Sequence, residues 1–191
     1  MSTLGRCRVS LSETARDATF LGLALTLGLV NGSVADPTVA KEYKVKAAFI
    51  YNFAKFVAWP AQKFADGNAP LVIGVLGPNP FGDELENALN GRQVNGRPVV
   101  VRQFDNPEAA KAAHLLFVSL NDEPRLRRAL KEYGVLTVGQ SELFARSGGM
   151  ITFTFEDDKL RFEINVGAAE QAGLKISSQL QKLAKNVRNG P

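Results

Sequence analysis

The sequence is poor in the residues that build metal centres and covalent cross-links. Its 191 residues include one cysteine, Cys7, and one histidine, His114. A disulfide needs two cysteines and a structural zinc site takes several Cys or His ligands, so a disulfide-stapled fold and an imidazole-rich or Cys-rich metal centre are excluded. We predict no metal and no cofactor, and a core held together by apolar packing.

An excess of charge of one sign is also missing. The chain has 23 basic and 19 acidic residues, and both signs are interspersed along it. Nucleic-acid-binding proteins usually carry a concentrated basic stripe, so no nucleic-acid partner is expected. The sequence has no internal repeat and no low-complexity segment, and 45% of its residues are hydrophobic, as in ordinary globular proteins. These features favour one folded domain.

The first residues have the order of a secretory signal. Several arginines precede an apolar run over Ala18–Val30, and the small-residue triplet Ser33-Val34-Ala35 follows. The run is shorter than the roughly 20 residues that a membrane-spanning helix needs. We predict a cleaved signal peptide over residues 1–35 and a single exported domain over residues 36–191. The alternative is an uncleaved membrane anchor, which leaves the domain in the same compartment.

The exported part begins with a long helix, predicted over Thr38–Trp59 and stopped by Pro60. Its apolar stripe is wider than that of an ordinary amphipathic helix, so burial by more than one neighbour is expected. The stripe is predicted to contain Val39, Tyr43, Val45, Ala47, Phe49, Ile50, Phe53, Ala54, Phe56 and Val57. The narrow polar edge is formed by Lys41, Lys44 and Lys55, with Asn52 and Trp59 beside it.

Short apolar runs alternate with helical stretches in the middle of the chain. The runs are Leu71–Leu76, Val99–Phe104, Leu115–Ser119 and Val135–Val138, which have the length and composition of strands covered on both faces. Helix starts are predicted at Asn79-Pro80, Asn106-Pro107 and Asn121. This alternation predicts right-handed crossovers and an α/β fold with a mainly parallel sheet flanked by helices.

The C-terminal third is predicted to form an antiparallel β-hairpin and a final amphipathic helix. Apolar and polar residues alternate on both sides of a two-residue turn at Asp157-Asp158. This turn places Phe153 opposite Phe162 and Thr154 opposite Arg161, so both strands agree on which face is apolar. The helix is predicted over Gly173–Val187, with an apolar stripe made of Ile176, Leu180, Leu183 and Val187.

The residue patterns contain no catalytic constellation. The loop Gly77–Gly82 follows a strand, but its two prolines lack N–H donors and its spacing is not that of a nucleotide-binding loop. His114 has no metal-ligand spacing to another histidine and is interpreted as structural. Ser119 and Ser141 lie outside a nucleophile elbow, and Glu156-Asp157-Asp158 is a solvated turn. An exported hydrolase is therefore the weakest alternative.

Two polar surfaces are candidates for binding a partner or a ligand. One is the polar face of the hairpin, with Arg161, Glu163 and Asn165, and the other is the exposed side of the first helix around Asn52 and Trp59. An ordinary solvent-facing sheet has the same composition, because exposed charges often form only salt-bridged exteriors. Both interpretations stay open for the hairpin face.

Several segments together resemble the YfiR-like family of periplasmic proteins. They are Lys46–Phe56 with Trp59-Pro60, Gly74–Gly77 with Pro80–Gly82, Leu136–Gly139, Gly148–Ile151, Arg161–Asn165 and Gly173–Leu180. The resemblance spans essentially the whole exported chain. It implies a periplasmic α/β domain, dimeric in many relatives, that has no enzymatic activity. The best-understood relatives bind the periplasmic sensor domain of an inner-membrane diguanylate cyclase and hold it inactive, and an outer-membrane lipoprotein can sequester them.

From this resemblance the chain is expected to repress such a cyclase as a homodimer, and so to lower cyclic-di-GMP and biofilm formation. Some relatives respond to redox through disulfides, which the exported chain cannot form because its only cysteine lies in the signal segment. The alternative function is a periplasmic small-ligand-binding module. Its pocket would lie at the carboxyl ends of the parallel strands, near Gly77–Gly82 and Gly139–Ser141.

Overall fold

Residues 37–119, 130 and 132–190 are described by the structure, a computed structural model. The predicted signal peptide and the helix start at Asn121 lie outside them. In chain order the elements are α1 (Pro37–Phe56), β1 (Val57–Ala58), a 3-10 turn (Ala61–Lys63), β2 (Leu71–Leu76), α2 (Glu84–Leu89), β3 (Gln93–Val94), β4 (Arg97–Phe104), α3 (Pro107–Ala110), β5 (Leu115–Val118), β6 (Leu136–Gly139), α4 (Glu142–Arg146), β7 (Ile151–Glu156), β8 (Lys159–Asn165), α5 (Val166–Gln171), β9 (Lys175–Ile176), α6 (Ser178–Leu183) and β10 (Asn186–Arg188).

Eight of the strands form one curled sheet in the order β10-β8-β7-β6-β5-β2-β4-β3. Neighbouring strands run parallel except for the β3–β4 and β7–β8 pairs, which are antiparallel. The α/β fold with a mainly parallel sheet is therefore confirmed. None of the described helices has the length and apolar character that crossing a membrane requires.

The hairpin of β7 and β8 has the predicted register. Phe153 pairs with Phe162 and Thr154 with Arg161 across the two strands. Asp157 and Asp158 both have positive φ angles, of 49° and 56°, as the two central residues of a type I′ turn do. This turn matches the right-handed twist of the strands, so it fixes the register that the alternation of apolar residues favours.

Each face of the sheet is covered by its own apolar cluster. On one face, α1 and α2 pack over the sheet, and Phe49 and Phe53 of α1 meet Phe153 and Phe162 of the hairpin with ring centroids 5.0–6.1 Å apart. On the other face, a smaller cluster is built around Phe104 and Phe144. Burial of α1 against both the parallel strands and the hairpin explains why its apolar stripe is wide.

Two details of the predicted first helix are wrong. The helix ends at Phe56 and not at Trp59, because Val57 and Ala58 pair with Ile176 and Lys175 in a two-stranded sheet. Val39 and Val45, predicted to be buried, are 46% and 40% exposed. They lie at the margins of the stripe, where no element covers them among the described residues.

The predicted starts and extents of the later helices need correction. Asn106 caps α3, as expected, by accepting a hydrogen bond from Ala109 N at 2.9 Å. Asn79 instead closes a turn by accepting from Phe81 N, and α2 begins only at Glu84.

The final amphipathic helix is present but much shorter than predicted. It spans Ser178–Leu183, capped by Ser177, and parts of the predicted range on either side of it form strands β9 and β10. Leu183 is 68% exposed and not part of a buried stripe. The preceding helix α5 was not predicted from the sequence.

Candidate functional site

A cleft of about 580 Å³ opens where β6 ends and β7 continues. The last paired residue of β6 is Gly139, opposite Thr152, and β7 then runs on to Glu156 with only β8 beside it. We call this space the β6–β7 cleft. It is lined by Glu42, Lys46, Gln140, Ser141, Glu142, Ala145, Arg146, Thr152, Phe153, Thr154, Phe155, Glu163 and Arg188.

Helix α4 forms one wall of the cleft and is seated by two glycines. A Cβ atom at Gly139 would lie 2.5 Å from the ring of Phe144, and one at Gly149 would lie 2.1 Å from it. Only glycine leaves room for the ring at such distances. The helix start is fixed by Ser141, whose Oγ accepts a hydrogen bond from Phe144 N at 2.9 Å.

Lys46 reaches the cleft from α1 and is the largest buried charged side chain in the described part of the chain, with 1% of its surface exposed. Its ammonium group forms an ion pair with Glu42 and donates a hydrogen bond to Gln140 Oε1 at 2.6 Å. The Tyr43 ring lies 4.4 Å from the ammonium nitrogen. A buried cation is stable only when paired and hydrogen-bonded, and this set of contacts ties α1 to the end of β6.

Two further charges face the cleft without a charged partner. Glu142 and Arg146 pair with each other across one turn of α4 at 2.5 Å, but within the described residues Glu163 and Arg188 have no ion pair. Arg188 Nη2 donates to Ala145 O at 3.3 Å, and its Nε is buried with no hydrogen-bond partner. Thr154 Oγ1, on the same wall, is also buried and unpartnered. Polar groups left in this state in a native protein call for an explanation.

A second polar cluster surrounds His114 at the start of β5. His114 Nδ1 accepts a hydrogen bond from Val72 N at 3.0 Å, and the ring stacks on Phe64 with centroids 4.4 Å apart. Burial, assisted by the nearby cations Lys63 and Arg97, lowers the pKa of His114 from 6.5 to about 4. These contacts are internal to the fold, which agrees with the structural role predicted for this histidine.

Lys63 anchors the segments beside His114. Its ammonium group donates to Lys111 O at 2.7 Å and to Tyr133 O at 2.8 Å. Partial burial lowers the pKa of Lys63 from 10.5 to about 8. The lysine therefore holds two loops together through backbone carbonyls.

The five residues predicted for binding are distributed over different environments. Glu163 lines the β6–β7 cleft, whereas Arg161 is exposed on the same strand outside it. Asn165 is only 2% exposed, and its Oδ1 caps α5 by accepting from Ala168 N at 2.9 Å. Trp59 is half-buried, and its indole N–H donates to His114 O at 2.9 Å. Their roles in binding stay predictions.

Asn52 lies on a basic stripe along α1. We call this stripe the outer face of α1, and it consists of the exposed residues Lys41, Lys44, Val45, Ala48, Asn52 and Lys55. It carries three lysines and no carboxylate, and it extends over about 20 Å at 1.5 Å per helical residue. The described part of the chain places no other element on this face.

Sequence reasoning missed Lys46 and Arg188 as cleft residues. Of the two loops considered for a pocket, the one at Gly139–Ser141 contributes to the cleft and Gly77–Gly82 does not. A signal for Lys46 was present, because it lies among the apolar residues of the stripe and four residues after Glu42. Arg188 gave no signal, since its strand was assigned to the final helix.

Comparison with known proteins points to one family. The sequence profile described as YfiR/HmsC-like matches residues 43–185. Among solved structures, a conserved domain protein from Vibrio cholerae O1 biovar El Tor strain N16961 is similar, with a TM-score of 0.52 and 12% sequence identity over 76% of this chain and 60% of that one. At this identity the likeness shows the fold alone, and this chain spans less than two thirds of that protein. Comparison with functionally curated proteins gives no match.

Proposed function

The chain belongs to the YfiR/HmsC-like family of periplasmic regulators, and on this basis we propose that it is a non-catalytic periplasmic protein that represses an inner-membrane diguanylate cyclase. The family match over residues 43–185 carries this proposal. In it, the chain contacts the periplasmic sensor domain of the cyclase, so that less cyclic-di-GMP is made and biofilm formation falls. A homodimer is the repressing form, and an outer-membrane lipoprotein relieves repression by sequestering it.

The contact surface in this proposal is the outer face of α1. Its lysines, together with the absence of carboxylates on that face, favour a partner surface rich in Asp and Glu. Ala48, near its middle, allows close approach of a partner backbone, while Asn52 offers a hydrogen-bonding amide. The sensor domain that this face recognises is therefore acidic at the point of contact.

Repression by contact requires a difference in affinity. A protein that bound the active and inactive sensor equally well would leave the equilibrium between them unchanged. The proposed repressor therefore binds the inactive sensor more tightly. Each tenfold preference shifts the ratio of inactive to active cyclase by up to tenfold at saturation.

The test combines capture and a cellular measurement. Tagged residues 36–191 are exported in the native host, bound partners are recovered from solubilised membranes, and cyclic-di-GMP is measured with and without the gene. We expect capture of a membrane protein with a cyclase domain, and a rise in cyclic-di-GMP when the gene is removed. Unchanged cyclic-di-GMP together with no captured cyclase would overturn the proposal.

A second function, small-ligand binding, is supported by a different observation. The β6–β7 cleft has the volume of a typical small-molecule site and contains two charged side chains, Glu163 and Arg188, that form no ion pair within the described residues. Ligand binding and repression are compatible, because a ligand that favours one state of a regulator shifts its output.

A further inference from the structure

We propose that the β6–β7 cleft binds a small zwitterion, whose anionic group pairs with Arg188 and whose cationic group pairs with Glu163. The proposal rests on the second function above, ligand binding, and is independent of cyclase repression. It names the chemical class of the ligand. This class is inferred from the two charged side chains of the cleft that form no ion pair and from their positions on the sheet.

The charged residues of the cleft fall into two groups. Glu42 with Lys46 and Glu142 with Arg146 are internally paired, so neither pair needs a ligand. Glu163 and Arg188 remain, one acid and one base, and in the described part of the chain neither meets an opposite charge within 4 Å. A ligand that neutralises both must carry one charge of each sign.

The sheet holds these two residues on one face at a fixed separation. Strand β10 pairs in parallel with β8, and the register sets Asn186 beside Glu163 and Arg188 beside Asn165. Glu163 and Arg188 are therefore two positions apart on adjacent strands, with Cα atoms roughly 8 Å apart. An arginine at that distance is long enough to reach the carboxylate. Its guanidinium instead donates to Ala145 O, which leaves a gap between the two charges.

The lining of the cleft also contains unpartnered polar atoms. Three buried side-chain atoms of the described residues lack a hydrogen-bond partner, and two of them, Arg188 Nε and Thr154 Oγ1, belong to residues that line the cleft. A guanidinium binds a carboxylate or phosphate through Nε and Nη together. A modest rotation of Arg188 towards the cleft would present this pair of donors. Thr154 pairs with Arg161 across the hairpin and so lies beyond Glu163 from Arg188, where its hydroxyl could accept a hydrogen bond from the cationic group of the ligand.

Ligands with a single charge fit less well. A simple anion would meet Arg188 but would leave the carboxylate of Glu163 beside it, and a simple cation would have the converse difficulty. Ala145, whose carbonyl oxygen accepts from Arg188, also lines the cleft and offers a small apolar contact for a short hydrocarbon body. A compact molecule with a carboxylate and an ammonium a few bonds apart meets all of these conditions.

The experiment uses a series of ω-amino acids that differ in the distance between the carboxylate and the ammonium group. Binding of glycine, β-alanine, 4-aminobutyrate and 6-aminohexanoate to purified residues 36–191 is measured by calorimetry and by amide chemical shifts, with butyrate and butylamine as singly charged controls. We expect one member of the series to bind at least tenfold more tightly than either control. Shift changes should centre on β8, β10 and α4.

Two variants test the charge assignment through a reversal of selectivity. Glu163→Gln leaves Arg188 alone, so the cleft should now prefer butyrate to the zwitterion. Arg188→Gln leaves Glu163 alone, so it should prefer butylamine. Arg102→Gln and Glu170→Gln, at exposed positions outside the cleft, remove the same charges and should leave the wild-type preference unchanged. A merely structural role for Glu163 or Arg188 would weaken all ligands alike.

The outcomes separate this proposal from the others. Failure of every ω-amino acid to bind, or loss of binding without a change of charge preference in the folded variants, would overturn the zwitterion assignment. If butyrate or inorganic phosphate bound the wild type most tightly, ligand binding would stand and the zwitterion class would be wrong. Cyclase capture and cyclic-di-GMP levels report on repression alone, so neither result decides this one.

Discussion

The indole N–H of Trp59 donates a hydrogen bond to the carbonyl oxygen of His114 at 2.9 Å, joining the segment after α1 to the start of β5. The two rings also meet edge to face, with centroids 6.2 Å apart. His114 in turn accepts from Val72 N in the neighbouring strand β2. A single histidine thus connects three separate segments, and its ring must be neutral for Nδ1 to accept the hydrogen bond from Val72 N.

This arrangement predicts that stability falls in mild acid. The pKa of His114 is about 4 in the folded chain and 6.5 when unfolded, so between these values the unfolded state binds the extra proton. Stability is therefore lost as pH falls from about 6.5 to about 4, by on the order of 3 kcal/mol. Urea unfolding at a series of pH values measures it.

His114→Asn is the control for this prediction. The asparagine Oδ1 can accept from Val72 N as Nδ1 does, but the side chain does not titrate. The variant should be less stable at pH 7 and should show a flatter pH dependence between 4 and 6.5. An equally steep dependence in the variant would mean that other groups cause the acid sensitivity.

A second prediction concerns the buried ammonium of Lys46. Glu42→Gln removes its carboxylate partner and leaves the charge buried, so we expect a loss of about 3 kcal/mol in the free energy of unfolding. Lys46→Met removes the charge and keeps an apolar side chain of similar length, and Glu42 is partly exposed. That change should cost about 1 kcal/mol or less. Chemical denaturation of both variants provides the comparison.

The double variant Glu42→Gln/Lys46→Met completes the thermodynamic cycle. Because it contains no buried cation beside the introduced amide, the double variant should be more stable than Glu42→Gln alone. The reverse order, with Lys46→Met the most destabilised, would contradict the buried-charge argument.

A third prediction follows from the contact between Gly149 and Phe144. Gly149→Ala would place a Cβ atom 2.1 Å from the ring, so the ring and α4 must move, at a cost of about 2–3 kcal/mol. Combining it with Phe144→Leu should recover part of this loss, because the smaller side chain makes room. Thermal unfolding of the two single variants and the double variant checks this. Additive losses would show that the two positions do not compete for space.

A fourth prediction addresses the outer face of α1. Lys44→Glu reverses a charge at the proposed contact and should weaken capture of the sensor domain by at least tenfold, with a matching rise in cyclic-di-GMP. Lys182→Glu makes the same change at an exposed position on α6 and serves as the control. If both variants weakened capture equally, or if neither weakened it, the contact would lie elsewhere on the protein.

Patterns within short segments predicted the fold well. The register of β7 with β8 followed from alternation around Asp157-Asp158, and the buried strands β2 and β5 followed from continuous apolar runs. These features depend on residues close in sequence. The end of α1 and the extent of the last helix were mispredicted because distant partners decide them, namely the pairing of Val57 with Ile176 and of Val187 with Ile164.

The candidate site was only partly predicted from the sequence, because it too depends on contacts between distant segments. Glu163 was found from the polar face of the hairpin. Lys46 and Gln140 meet across 94 positions of sequence. Arg188 lines the same cleft from the edge strand β10, most of which was predicted as the end of the final helix. A site assembled from segments so far apart leaves no local motif.

The pairing of β1 with β9 also bears on the order of folding. Val57 and Ile176 are separated by most of the domain, and Ser177 N closes the junction on Phe56 O at 2.9 Å. Contacts between such distant residues form late, because a long loop must close first. The C-terminal end of α1 therefore reaches its final neighbours only after Ile176 and Ser177 are available. Until then, a ribosome-bound or partly exported chain cannot complete its native topology.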